Sequence, residues 1–431
     1  MGQSLSDYRG RPVVAVTGIG MISPVGHGVD DSWAALTAGR SGIKRISRYP
    51  TEAMRTTIAG TLDGLWREGD TPVDLTLRAA TLAAEEAIAA AGIGTPGDFP
   101  GPLFAALPPV EMEWPYRERL WRAATNGGGN GGGDAYDRMI AAARGANDDD
   151  GFRHTLLGYI PEELADRIGS KGAPIALTTA CASGATAIQL SVEAIRRGDT
   201  DAAITIGADC TVTPEMMTRF SLLSALSSAN AVPEAASRPF SKDRDGFVIA
   251  EGAAALILEN YDAAKARGAT IHAVIRGIGE RADDFHRTRS RPDGSAIIGA
   301  IRNTLDDAGL EPDAIDYVNA HGTGTPENDK MESFSLEAVF GERMGGTPIS
   351  SNKSMIGHTI TAAGAIEAAF TIKTILSGTI PPTINYDVPD PAIRLDVVPN
   401  TARQATVATA MSNSFGFGGQ NACLVIAAEP A

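Results

Sequence analysis

Apolar positions along this chain follow two alternating rhythms. Short runs rich in β-branched residues, unbroken by charge, recur at Val13–Gly18, Ala202–Gly207, Ala254–Leu258, Tyr317–Ala320 and Ala422–Ile426. Continuous apolar runs of this length suit strands buried on both faces, as in a mostly parallel sheet covered by helices. Between them lie Ala-rich stretches with helical spacing of apolar positions, at Leu75–Ala91, Ala185–Arg197 and Ala363–Leu376. The alternation predicts an α/β fold.

One order of elements occurs twice. Pro174-Ile175 opens a strand that leads through Cys181 into a helix of small residues ending near Arg197-Gly198. Pro348-Ile349 opens another, which leads through Lys353 and His358 into a helix ending near Leu376 to Gly378. A further apolar strand follows each helix. The repeat predicts duplicated α/β halves, 1–262 and 263–431, with a site where the two strand-to-helix corners meet. Residues Leu103 to Ser170 break the pattern, with Phe104, Trp114, Tyr116 and Trp121, a glycine run at 127–133 and Asp148 to Asp150. No Lys-Ser/Thr pair follows the glycines, so they predict a flexible loop and not a phosphate cradle. The segment is expected to be an elaboration beside a substrate channel.

Charge narrows the range of partners. Lys and Arg number 37 against 52 Asp and Glu, a net charge of −15, which excludes a broad nucleic-acid-binding surface. An acidic partner could dock only on a local basic cluster. The three cysteines, Cys181, Cys210 and Cys423, have neither zinc-site nor disulfide-framework spacing, so no metal site is expected and a reducing cytoplasm is. No apolar run is expected to reach the roughly 18 residues that span a bilayer, and no secretory signal is expected.

The stretch Thr178 to Ala187 carries the sharpest chemical signal. It sets Cys181 at the start of a helix, where the dipole and free N–H groups favour a nucleophilic thiolate. His321-Gly322-Thr323-Gly324-Thr325-Pro326 follows directly on a strand, and Asn352 to His358 forms a second strand-to-helix corner. Lys353 and Glu367 stand at a spacing that suits a buried ion pair. Near the C-terminus, Asn413 to Asn421 alternates glycine with Phe415 and Phe417, exposing N–H groups that could hold an oxyanion.

Four motifs occur together and in order: Thr-Ala-Cys-Ala-Ser-Gly, His-Gly-Thr-Gly-Thr-Pro, Asn-Lys-Ser-Met-Ile-Gly-His and Asn-Ser-Phe-Gly-Phe-Gly-Gly. With them the chain resembles the elongating, Cys-His-His type of β-ketoacyl-[acyl-carrier-protein] synthase, within the thiolase superfamily. The resemblance extends from Val13–Gly28 through Arg238–Phe247 to the C-terminal loop. It implies a thiolase-like, five-layer α-β-α-β-α arrangement. The activity it implies is decarboxylating condensation of an acyl-enzyme with malonyl-acyl-carrier protein. The implied partner is acyl carrier protein, which brings the phosphopantetheine, so no cofactor is expected; a homodimer is implied too. Carried onto this chain, Cys181 would be the nucleophile and His321 and His358 would promote decarboxylation. The N–H groups of Cys181 and Phe417 would form the oxyanion hole. Lys353 with Glu367 would organise the histidine loop, Thr323 and Thr325 would bind the pantetheine arm, and Phe415, Phe417 and Gly418 would belong to the loop gating the acyl pocket.

Two departures stand out: Gln420 where many relatives carry Thr, and the altered 103–170 segment, which in relatives floors the acyl pocket. A different reading is a non-catalytic partner subunit like the chain-length factors, but those lack the active cysteine. Initiating synthases pair the cysteine with one His and one Asn. Thiolases carry a second late cysteine, for which Cys423, in an apparent strand core, is a poor match.

Overall fold

The structure is a computed structural model and describes residues 5–95, 97–109, 114–126, 135–145 and 149–430. In the first half, five strands and three helices frame the core: β1 (Val14–Ser23), α1 (Pro72–Ala91), β2 (Leu103–Ala106), α2 (Tyr159–Ile168), β3 (Ile175–Leu177), α3 (Ser183–Arg196), β4 (Ala202–Asp209) and β5 (Gly252–Asn260). The second half repeats them as β6 (Ala273–Ala282), α4 (Ser295–Ala308), β7 (Tyr317–Asn319), α5 (Pro326–Phe340), β8 (Pro348–Ser350), α6 (Ala363–Ser377), β9 (Thr409–Phe415) and β10 (Gln420–Ala427).

The sheet order exposes the duplication. The first half runs β3-β2-β4-β5-β1 and the second β8-β7-β9-β10-β6. In each, the first three strands pair in parallel and the fourth is antiparallel to both its neighbours. The halves join where β1 meets β6 antiparallel, Val14 opposite Ile275. Helices α1 and α2 cover one outer face and α4 and α5 the other, while α3 and α6 lie between the two halves of the sheet, giving five layers.

The central layer is thin because α3 and α6 touch through glycine. A Cβ on Gly184 would collide with the backbone nitrogen of Ala365, and one on Gly364 with that of Ala185. The contact is the same from both sides, as a pseudo-twofold relation requires. Contrary to the expectation that no apolar run reaches a bilayer-spanning length, Ile360–Ser377 is, among the described residues, apolar and long enough to cross a membrane, but 78% of it is buried inside the protein. It is the central core helix with its lead-in turn.

The 103–170 segment differs from expectation at both ends. Leu103–Ala106 is a core strand with Phe104 buried in the central cluster, because β2 is flanked by β3 and β4. At the other end, α2 packs on α1. The elaboration proper is the pair of packed helices Trp114–Asn126 and Ala135–Gly145 with the turn Asp149–Arg153. The glycine run at 127–133 and Asp148 lie outside the described residues.

Candidate active site

Each corner is shaped before any chemistry is added. After β3, Ser183 accepts from Thr179 N–H at 2.7 Å and donates to the Ala180 carbonyl at 2.6 Å, closing a tight turn ahead of α3. Ala180 is forced to φ +50°, and Ile360, in the same place before α6, to +43°. Non-glycine residues with positive φ carry strain held by their surroundings. The turn presents Cys181, only 8% exposed, toward the second half.

His321 leaves the end of β7, where Glu332 of α5 accepts its N–H and that of Gly322, each at 2.8 Å. Asn413 donates to the same carboxylate at 3.1 Å. His358 is fixed by its backbone, donating to the Val248 carbonyl at 2.7 Å and accepting from Ala250 N–H at 2.8 Å. Gly357 precedes it at φ +79°, where a Cβ would press on Ala250 and Val248 at 2.9 Å.

These supports bring three side chains together. His358 Nε2 lies 3.0 Å from Cys181 Sγ, and the reactive atoms of Cys181, His321 and His358 all fall within 4.8 Å of one another. The imidazoles meet edge-on at 5.4 Å between ring centres, with Phe415 against His321 and Phe247 against His358. Sulfur and nitrogen bound to one tetrahedral zinc would sit about 3.5 Å apart. The observed 3.0 Å suits proton transfer along a hydrogen bond.

Burial sets the protonation states. It pushes the Cys181 thiol up to about 11, against the hydrogen bond from Phe417 N–H and the charge of Lys353. Loss of water therefore works against the thiolate that the helix terminus was expected to favour. Burial, and then the Lys353 charge, drives His321 and His358 well below the ordinary imidazole range, so both are neutral. Lys353 Nζ donates to the His321 carbonyl at 2.7 Å, lies 3.4 Å from its Nδ1 and pairs with Glu367. An ammonium there can only donate to Nδ1, which leaves the proton of the neutral ring on Nε2. Burial raises the Glu367 carboxyl while Lys353 pulls it down.

A cavity of about 310 Å³ connects Cys181, His321 and His358 with the surface. Thr323, Thr325, Phe415 and Phe417 line it as anticipated, the threonine hydroxyls 2.9 Å apart. Gly418 does not line it. Its N–H instead donates to the Arg287 carbonyl at 2.8 Å, clasping two loops together. Gln420 is exposed at the start of β10, opposite Ala282. Among the described residues, none of those lining this cavity comes from the 103–170 segment.

Several site residues have no counterpart in the sequence reading. Glu332 was hidden because a single Glu in an acidic helix has no distinguishing spacing. Phe247 lay inside a recognised stretch, but nothing marked it as a ring against His358. His286, Arg287 and Arg289 also line the cavity, and here a signal existed: Arg287, Arg289 and Arg291 alternate in a chain of net charge −15.

Comparison with known proteins places this geometry. Residues 11–264 match the family model described as beta-ketoacyl synthase, N-terminal domain, and 272–387 match the beta-ketoacyl synthase, C-terminal domain. A 3-oxoacyl-[acyl-carrier-protein] synthase 2 of Coxiella burnetii is 36% identical over 426 residues, covering 96% of this chain and 98% of that protein. The tetracenomycin polyketide synthase ketoacyl synthase alpha subunit of Streptomyces glaucescens is 35% identical over 420 residues, 96% of each chain. Among solved structures, a type II polyketide ketosynthase in complex with its acyl-carrier protein and bound to the hexaketide superposes with a TM-score of 0.84 at 31% identity, covering 97% of this chain and 100% of that one.

Proposed function

The chain belongs to the beta-ketoacyl synthase family, and we propose that Cys181 is the nucleophile of its reaction, with His321 and His358 as proton-handling partners. The protein is an acyltransferase that elongates fatty acyl chains. It joins an enzyme-held acyl group to malonyl-acyl carrier protein with loss of carbon dioxide, giving β-ketoacyl-acyl carrier protein. The thioester arm arrives on the acyl carrier protein, so the chain needs no cofactor of its own.

In the first half-reaction Cys181 Sγ attacks the acyl thioester carbonyl. Its proton passes to His358 Nε2 and on to the departing pantetheine sulfur, so one C–S bond forms as another breaks. The N–H groups of Cys181 and Phe417 hold the carbonyl oxygen as charge gathers on it. In the second, malonyl thioester loses carbon dioxide and the bonding pair becomes an enolate. The N–H of His321, on Nε2, stabilises the enolate oxygen, with the neutral His358 imidazole beside it. The new carbanion attacks the acyl carbonyl and Sγ leaves as thiolate, which takes a proton from water to restore the resting thiol. Lys353, balanced by Glu367, is a positioning residue that sets the His321 tautomer. Thr323 and Thr325 offer hydroxyls to the arm, and Phe415 with Phe417 borders the acyl entrance.

The observation that carries this reading is the 3.0 Å contact between Sγ and a buried neutral imidazole, with a second imidazole beside it. Intact-mass measurement after incubation with an acyl thioester tests it. The enzyme should gain one acyl group, lost in Cys181→Ala; an acyl adduct that persists in that variant rejects the assignment. A chain-length-factor-like role is not favoured, since cysteine and both histidines are in place.

We also read the chain as two halves, 1–262 and 263–431, and as a cytoplasmic homodimer. The free cysteines support the compartment. Edge strand β3 supports the dimer: it ends the sheet, and Ile175 on it is 44% exposed. Light scattering giving a monomer mass would reject the dimer.

A further inference from the structure

The cavity has a buried end at Cys181 and an exposed end built from the segment after β6. There His286, Arg287, Thr288, Arg289 and Ser290 form the wall, with Arg287 and Arg289 exposed. Cations near this mouth are mostly engaged: Arg291 pairs with Asp284, Arg244 with Asp390 at 2.7 Å, and Arg238 with Asp243 at 2.6 Å. Neither Arg287 nor Arg289 forms an ion pair among the described residues. The Asp283 carboxylate is occupied by the N–H groups of Phe285 at 2.9 Å and Arg291 at 2.7 Å. Glu327, which also lines the cavity, pairs with neither arginine.

The backbone bearing these arginines is anchored. Asp283 N–H donates to the Gly419 carbonyl at 2.7 Å and Gly418 N–H to the Arg287 carbonyl at 2.8 Å, so the arginine segment is tied to the loop of Phe415 and Phe417. Two unpaired guanidinium groups are thus held at the entrance of a channel that, on the reading above, admits a thioester arm.

We propose that Arg287 and Arg289 form a phosphate clamp that grips the phosphate of the phosphopantetheine arm while its thioester reaches Cys181. Guanidinium matches phosphate geometry by paired N–H donors, and such charged hydrogen bonds are stronger than neutral ones. The clamp rests on the assignment of Cys181 as acyl acceptor. The anchoring to the Phe415–Phe417 loop means that gripping the phosphate and opening the acyl entrance act on one connected piece of backbone.

The test presents one straight-chain acyl group as its thioester with pantetheine, with 4′-phosphopantetheine and with acyl carrier protein. Acylation of Cys181 is followed by intact mass at several salt concentrations. For the unaltered enzyme, kcat/KM should be about tenfold or more higher with the phosphorylated arm than with pantetheine, and the advantage should shrink with salt. In R287A/R289A the ratio should fall to within about threefold of one, the loss lying in KM, while R287K/R289K keeps part of it. Three results overturn the clamp: no phosphate advantage in the unaltered enzyme, an equal loss with pantetheine thioester, or a loss confined to the whole carrier protein. The last would assign the arginines to the carrier's surface. Absence of any adduct with all three donors would reject the Cys181 assignment itself, whereas failure of the clamp alone leaves the adduct and removes only the preference.

Discussion

The two strand-to-helix corners are one design used twice for different ends. Ala180 and Ile360 share a positive φ, and Gly184 and Gly364 make the same backbone contact from opposite sides. Between them, the first corner carries Cys181 and the second Thr361. Thr361 donates N–H and hydroxyl to Asp209, at 3.2 and 2.8 Å, in the interior. The second corner instead supplies His358 from the loop just ahead of it, across to the first corner's sulfur. Duplication therefore provided matched frames that bring two turns face to face, and specialisation put a nucleophile on one and an imidazole on the other.

The strongest way to break this comparison is to remove the residue that makes the corners unlike. Cys181→Ala should abolish acyl-enzyme and condensation, a loss of more than about 10⁴-fold, with the circular dichroism spectrum unchanged. Condensation at an undiminished rate would mean that the first corner is not the reactive one.

Next in size is the ion pair beneath the second corner. Lys353→Met leaves Glu367 buried without its partner and should cost about 3–5 kcal/mol in chemical denaturation. Stability should be regained at acid pH, because protonating Glu367, whose carboxyl burial already raises, removes the unpaired charge. The double change with Glu367→Leu should recover much of the loss; no recovery would mean that packing, not charge, was broken.

The glycine contact comes third. Gly184→Ala and Gly364→Ala should each destabilise by about 1–3 kcal/mol, and by similar amounts if the corners are equivalent frames. Unfolding midpoints measured side by side decide this, and a large inequality would show that one half carries the interface.

Alkylation of the resting thiol sharpens the chemical side. With the thiol raised to about 11 by burial, the thiolate fraction increases with pH, so iodoacetamide labelling of Cys181 should rise about tenfold per pH unit between pH 7 and 10. A plateau near neutral pH would instead reveal a preformed thiolate–imidazolium pair.

The smallest effect belongs to the silent counterpart. Thr361→Val removes one donor from Asp209, whose carboxyl burial has already raised to about 6. It should cost about 1 kcal/mol and leave the acyl-enzyme intact; loss of acylation would show that the second corner takes part in the chemistry.

Much was legible in the chain itself. The strands around Val16, Ile204, Leu256 and Leu424, and the helices around Ala84, Ile188 and Phe370, follow from periodicity, because burial on both faces demands uninterrupted apolar residues. The motifs named Cys181, His321, Lys353 and His358 because reactive residues at strand ends, set among glycines, have a local cause.

What only the tertiary structure decided is how those local pieces act on one another. How strongly burial raises the Cys181 thiol depends on how completely its surroundings exclude water, and no local helix terminus reveals that. Glu332 anchors His321 across ten residues, and Arg287 meets the Cys181 channel from a loop more than a hundred residues away in sequence. Spacing along a chain reports which side chains share a face. The distance between faces is set by packing, here by two glycines that let α3 and α6 approach until their corners touch.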